Sequence, residues 1–126
     1  MTKPTIYLAA GGTGGHLFPA IALARALQKK NFKTFILTDT RAMQYASQTE
    51  GVDLQLLTSG SIYSGGKIKK LLAPLKIFLG VLQAMIIMIS NRPVAVIGFG
   101  GYTSVPIILA ARILNIPSII HEQNKI

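Results

Sequence analysis

Short apolar runs alternate along this chain with stretches whose apolar positions recur at helical spacing. TIYLAA is followed by a predicted helix from about Pro19 to Lys30, then by TFILT and a helix around Arg41 to Gln48. LQLLT, a long apolar helix, VAVIG, a helix near Pro106 to Leu114 and SIIH complete the series. Strands buried on both faces read as continuous apolar runs, so the pattern predicts an α/β fold in which helices cover both faces of a parallel sheet. Right-handed crossovers then put a ligand site at the carboxyl ends of the strands. There is no internal repeat and no low-complexity tail.

At 126 residues the chain suits one domain with a real core. It has no cysteine, which removes disulfides and cysteine-based metal or redox chemistry, and its two histidines, His16 and His121, give a metal little to bind. Thirteen Lys and Arg against four Asp and Glu leave a formal net charge of +9, so anionic partners are expected. A mean hydropathy of +0.47 is high for a free soluble domain and points to apolar surface that meets lipid or a partner. Basic and aromatic residues are not interleaved as they are where bases stack, which argues against nucleic acid. The N-terminal run is too short for a signal peptide. The chain stops just after its fifth predicted strand, and is expected to be a fragment or half-protein.

The chemistry concentrates at predicted strand ends. Residues 9–20 read AAGGTGGHLFPA, with Gly11, Gly12, Gly14, Gly15 and His16 between a strand and a helix. Glycines let backbone N–H groups approach a phosphate, and the helix dipole favours negative charge there, so a diphosphate is the natural ligand. The alternative is a sharp turn and nothing more. A dinucleotide fingerprint starting at Gly12 and Gly14 meets Leu17 where its third glycine belongs, and no G-K-S/T follows, which excludes a P-loop. Asp39 could hold a ribose hydroxyl, but reads better as a turn residue or helix cap. A second loop, GFGGYTSVP at 98–106, again follows a strand and precedes a helix, and HEQN at 121–124 adds a third group to the same predicted rim.

Together these three segments resemble the MurG family of bacterial peptidoglycan N-acetylglucosaminyltransferases, over the whole chain but only over the N-terminal domain of that two-domain enzyme. The resemblance implies a Rossmann-like domain, the N-terminal half of a GT-B glycosyltransferase, whose C-terminal donor-binding domain lies outside this chain. It implies transfer of N-acetylglucosamine from UDP-GlcNAc to the C4 hydroxyl of undecaprenyl-diphospho-N-acetylmuramoyl-pentapeptide, lipid I, giving lipid II, with no cofactor or metal. Thr13, Gly14, Gly15 and Asn124 match donor-touching positions. Gly12, Gly100, Gly101 and Tyr102 match the cradle for the acceptor diphosphate. His16 matches the loop histidine considered as catalytic base, and a helix N-terminus helps keep its ring neutral. The competing reading is a histidine that caps or hydrogen-bonds the loop. Glu122 is a second candidate base, or a structural hydrogen-bonding group. Val105 stands where glycine is common in this family.

From Ile68 to Ile89 the chain reads IKKLLAPLKIFLGVLQAMIIMI. Its length invites a transmembrane reading, but Lys69, Lys76 and Gln83 recur every seven residues and Pro74 interrupts the early turns. An interfacial helix fits better, with Leu75, Phe78, Leu79 and Leu82 towards lipid and Lys67, Lys69, Lys70 and Lys76 near anionic headgroups; a plain core helix is the alternative. The resemblance implies a peripheral protein on the cytoplasmic face of the inner membrane. Two further hypotheses stand beside an enzyme half that is inactive alone: a non-catalytic membrane-anchoring acceptor module served by a separate donor-binding chain, and a dinucleotide-binding domain.

Overall fold

The computed structural model describes residues 3–57 and 73–121. Five strands, β1 (Thr5–Ala9), β2 (Lys33–Thr38), β3 (Asp53–Leu56), β4 (Ala95–Gly98) and β5 (Ser118–Ile120), form one parallel sheet in the order β3-β2-β1-β4-β5. The helices are α1 (Gly14–Lys29), α2 (Ala73–Ser90) and α3 (Ser104–Ile113), with a 3-10 helix at Thr40–Gln48 between β2 and β3. All five predicted strands are therefore present.

Central strand β1 is buried at every residue, and its alternation divides the core. Ile6 and Leu8 face one side, where they meet Leu17, Ala20, Ile21 and Ala24 of α1. Tyr7 and Ala9 face the other, against Ala84 and Met88 of α2 and Ile107, Ala110 and Ala111 of α3. The Tyr7 hydroxyl, at the inner end of that layer, donates to the Asn91 carbonyl at 3.0 Å just beyond α2. Both α1 and α3 end on an asparagine in the left-handed region, Asn31 at φ 70° and Asn115 at φ 59°. The amides of Phe32 and Ile116 reach back to the carbonyls of Leu27 and Ala111, closing the same helix-ending turn twice.

Three local expectations need correction. Helix α1 begins at Gly14, so Pro19 lies inside it rather than at its start, and Gly14, Gly15 and His16 form its first turn instead of a preceding loop. The segment after β2 is a 3-10 helix with a non-helical kink at Tyr45, not a regular α-helix. Helix α3 starts at Ser104, two residues before Pro106, whose missing N–H costs nothing in a first turn.

Candidate active site

The sheet order reverses direction at β1 and β4: the chain leaves β1 towards β2 and leaves β4 towards β5. Loops at such neighbouring carboxyl ends diverge and leave a crevice, the usual ligand position in open α/β sheets. The two glycine segments meet here. The Gly11 amide donates to the Gly100 carbonyl at 3.2 Å, and the Phe99 amide to the Ala9 carbonyl at 2.8 Å. Gly100 and Gly101 take φ of 93° and 87°, which a side chain resists. A Cβ on Gly101 would also stand 3.1 Å from the Gly11 backbone.

His16 is half-buried between the loops. Its Nδ1 lies 2.9 Å from the Phe99 carbonyl oxygen, and a carbonyl can only accept, so Nδ1 carries the proton. In the neutral ring the lone pair is then on Nε2, the tautomer a general base needs. The hydrogen-bonding role expected as the alternative is thus present, and it is compatible with basicity at the other nitrogen.

Ahead of His16, Thr13 is the N-cap of α1 but makes no side-chain capping bond, and no acidic residue stands in the first turn. Neither feature offsets the positive end of the helix dipole, which favours an anion there. Thr13 and Gly15 are exposed, and a Cβ added at Gly15 would meet nothing within 4 Å. Gly12 is different: a Cβ there would fall 2.3 Å from Asp39 Oδ1 and 2.7 Å from the Ala42 amide nitrogen. The fold therefore requires the bare backbone at Gly12 and leaves it optional at Gly15.

Asp39 caps the 3-10 helix, as expected, and does more. Only 2% exposed, its Oδ2 accepts from the Gly12 amide at 3.0 Å, Thr103 Oγ1 at 2.7 Å and Arg41 Nη2 at 2.7 Å. Oδ1 accepts from the Arg41 amide at 3.0 Å and Arg41 Nε at 2.8 Å. Burial alone would raise its pKa, but these bonds, with Arg41 foremost, outweigh it and hold the carboxyl down at about 2. The donors fill the carboxylate's acceptor sites, which leaves none for a ribose hydroxyl and removes the main support for the dinucleotide reading. Thr103 lies within the second glycine segment without being singled out there, Arg41 belongs to no motif, and sequence reasoning missed both.

Tyr102 is exposed beside Gly101, and His121 stacks obliquely on Phe99 with ring centroids 5.5 Å apart. Glu122 and Asn124 lie outside the described residues, as do Lys67, Lys69 and Lys70.

The whole rim falls within a recognised domain: residues 6–126 match the model of the glycosyltransferase family 28 N-terminal domain. The chain belongs to glycosyltransferase family 28. Among its relatives is the UDP-N-acetylglucosamine-N-acetylmuramyl-(pentapeptide) pyrophosphoryl-undecaprenol N-acetylglucosamine transferase of Paramagnetospirillum magneticum, 45% identical over 98% of this chain and 33% of the relative. The enzyme of the same name from Agrobacterium fabrum is 42% identical over 100% of this chain and 33% of its own length. The crystal structure of Acinetobacter baumannii MurG superposes with a TM-score of 0.81 at 38% identity, over 96% of this chain and 36% of that one. The chain is similar to MurG throughout and spans about a third of these relatives. A glycosyltransferase of kitacinnamycin shares the fold at 20% identity and a TM-score of 0.71. The expected Rossmann-like N-terminal half of a GT-B glycosyltransferase is the fold observed.

On α2, Leu75, Phe78, Leu79, Leu82, Ile86 and Ile89 are all exposed. At 100° per residue they fall in one stripe about 100° wide, opposite buried Gly80, Ala84 and Met88. Ile86, 67% exposed, and Ile89 extend the predicted patch by two turns. Lys76 is half-buried at its flank. Among the described residues no helix is long and apolar enough to cross a membrane.

Proposed function

We propose that this domain is the acceptor-binding part of an enzyme that moves N-acetylglucosamine from UDP-GlcNAc to lipid I, yielding lipid II. The observation that carries the reading is the junction of two glycine segments around His16 at the reversal of strand order, in a family 28 domain. The relatives' names supply both substrates.

In this reading the amides of Gly100 and Gly101 and the dipole of α1 surround the acceptor diphosphate, with Tyr102 at its edge; Gly12, expected in the same cradle, gives its amide to Asp39 and only shapes the loop. Thr13, Gly14, Gly15 and Asn124 meet the donor, most of which a C-terminal domain holds. His16 Nε2 takes the proton of the acceptor C4 hydroxyl as its oxygen bonds to the anomeric carbon; the bond from that carbon to the UDP oxygen breaks, and its electron pair leaves with UDP. Glu122 is the second candidate base.

The outward stripe of α2 supports peripheral attachment to the cytoplasmic face of the inner membrane, its apolar residues at the lipid boundary and nearby lysines on anionic headgroups.

The test is N-acetylglucosamine transfer to a lipid I analogue by the chain alone and by the chain joined to a family 28 donor-binding domain. Turnover only in the joined protein supports the reading. Turnover when the donor domain is a separate chain assigns the acceptor-module role. Absence of turnover in every combination, with both domains folded, overturns it.

A further inference from the structure

No step of the transfer uses Asp39, yet its carboxylate joins three strand ends. It follows β2, and it reaches across the end of β1 at Gly12 to Thr103, which stands at the N-cap position of α3 after β4. Three other links connect the glycine segments: Phe99 amide to Ala9 carbonyl, Gly11 amide to Gly100 carbonyl, and His16 Nδ1 to Phe99 carbonyl. All three reach the second segment at Phe99 or Gly100, before the two left-handed glycines have both passed. The Asp39 bridge takes hold beyond them, at Thr103, and ties that side of the loop to Gly12.

The choice of an acid here is costly unless it is neutralised, because a carboxylate near an anion cradle repels the anion. Arg41 cancels that charge through two side-chain bonds, and its Nη2 stands 3.5 Å from the position of a Cβ on Gly11, at the lip of the same loop. The ion pair is thus neutral towards the site while its carboxylate keeps full strength as an acceptor.

We propose that Asp39 is a positioning residue for the reaction: by holding Gly12 and Thr103 on one carboxylate, it sets where a diphosphate bound between the loops lies relative to His16. This rests on reading the loops as a diphosphate cradle. Asp39 touches no reacting atom; it acts through both loops.

Because Asp39→Asn could fail to fold, the decisive pair is Thr103→Val and Thr103→Ser. Valine keeps the shape and removes the hydroxyl, leaving the Gly12 and Arg41 bonds; serine restores the donor. Inorganic pyrophosphate is titrated into the 126-residue chain while the amide resonances of Gly12, Gly100 and Gly101 and the His16 ring nitrogens are followed by NMR. Wild type and Thr103→Ser should agree. Thr103→Val should bind pyrophosphate about tenfold more weakly, the loss expected of one hydrogen bond to a charged group, and should shift the His16 ring resonances at temperatures where it is fully folded. A merely structural Thr103 would lower the melting temperature and move neither. Affinity and ring resonances identical to wild type in Thr103→Val overturn the proposal. If the wild-type chain ignores pyrophosphate, the cradle reading fails instead, and amide exchange at Gly100 and Gly101 decides the clamp: faster in Thr103→Val supports it, unchanged overturns it.

Discussion

His16 Nδ1 and the Phe99 carbonyl oxygen are 2.9 Å apart, so a ring carried by the first turn of α1 is aimed by the end of a strand 83 residues further along. That bond fixes the tautomer as well as the orientation, since the shared proton must belong to nitrogen. The bond that aims the ring also leaves Nε2 as the basic nitrogen.

In the chain joined to a donor-binding domain, His16→Ala should lower kcat by roughly 100-fold or more with little change in KM, because proton transfer acts in the transition state. If the ring only ties the loops together, KM should rise and His16→Asn should recover much of the activity. Steady-state kinetics on the two variants separates these outcomes, and near-wild-type kcat in His16→Ala would move the search to Glu122.

Gly12→Ala and Gly15→Ala should diverge. At Gly12 the new methyl meets the Asp39 carboxylate and backbone at impossible distances, so the melting temperature should fall by the equivalent of about 1–3 kcal/mol or more. At Gly15 there is open space, and alanine in a first helical turn should hold or raise stability by roughly 0.5 kcal/mol. Thermal denaturation checks both; an equal loss at the two positions would contradict the local geometry.

Asp39 gives a pH signature. Its carboxyl is held from 3.8 down to about 2 in the fold, so its stabilising effect is fully present above about pH 4 and is lost as pH falls towards 2. Wild type should exceed Asp39→Asn in melting temperature at neutral pH, and the gap should close across that window. A gap independent of pH between 5 and 2 would show that the carboxylate charge is not what binds the loops.

Vesicle co-sedimentation tests the α2 stripe. Binding should require anionic lipid and weaken with salt, since each basic residue near the surface contributes on the order of 1 kcal/mol. Replacing Phe78 and Ile86 by serine should weaken binding at low and high salt alike, because it removes apolar contact rather than charge. Retention unaffected by lipid charge, salt and both substitutions would remove the membrane role.

Legibility in the sequence followed the range of the forces involved. The strands were readable because a doubly buried strand must be apolar at nearly every position, as β1 is. The convergence of both glycine segments on one rim followed from topology alone. The first turn of α1 was hidden because Gly14 and Gly15 are poor helix formers and Pro19 imitates a helix start. Asp39 announced itself as a cap, a local role, while its bond to Thr103 spans 64 residues and leaves no local trace. Arg41 stood only at the start of a predicted helix, and its pairing with that carboxylate depends on a side-chain geometry that residue order does not specify.

Helix α2 precedes β4 in the chain, and its two faces are in opposite phase. Inserting or deleting one residue near Gln83 would turn the following segment by about 100°, swinging Ile86 and Ile89 away from Leu75 and Leu79. The same rotation would pull Ala84 and Met88 out of the core. The outward stripe and the inner layer therefore share one reading frame of turns: drift in the surface cannot accumulate by slippage without undoing the fold, and only side-by-side substitution is left to reshape it.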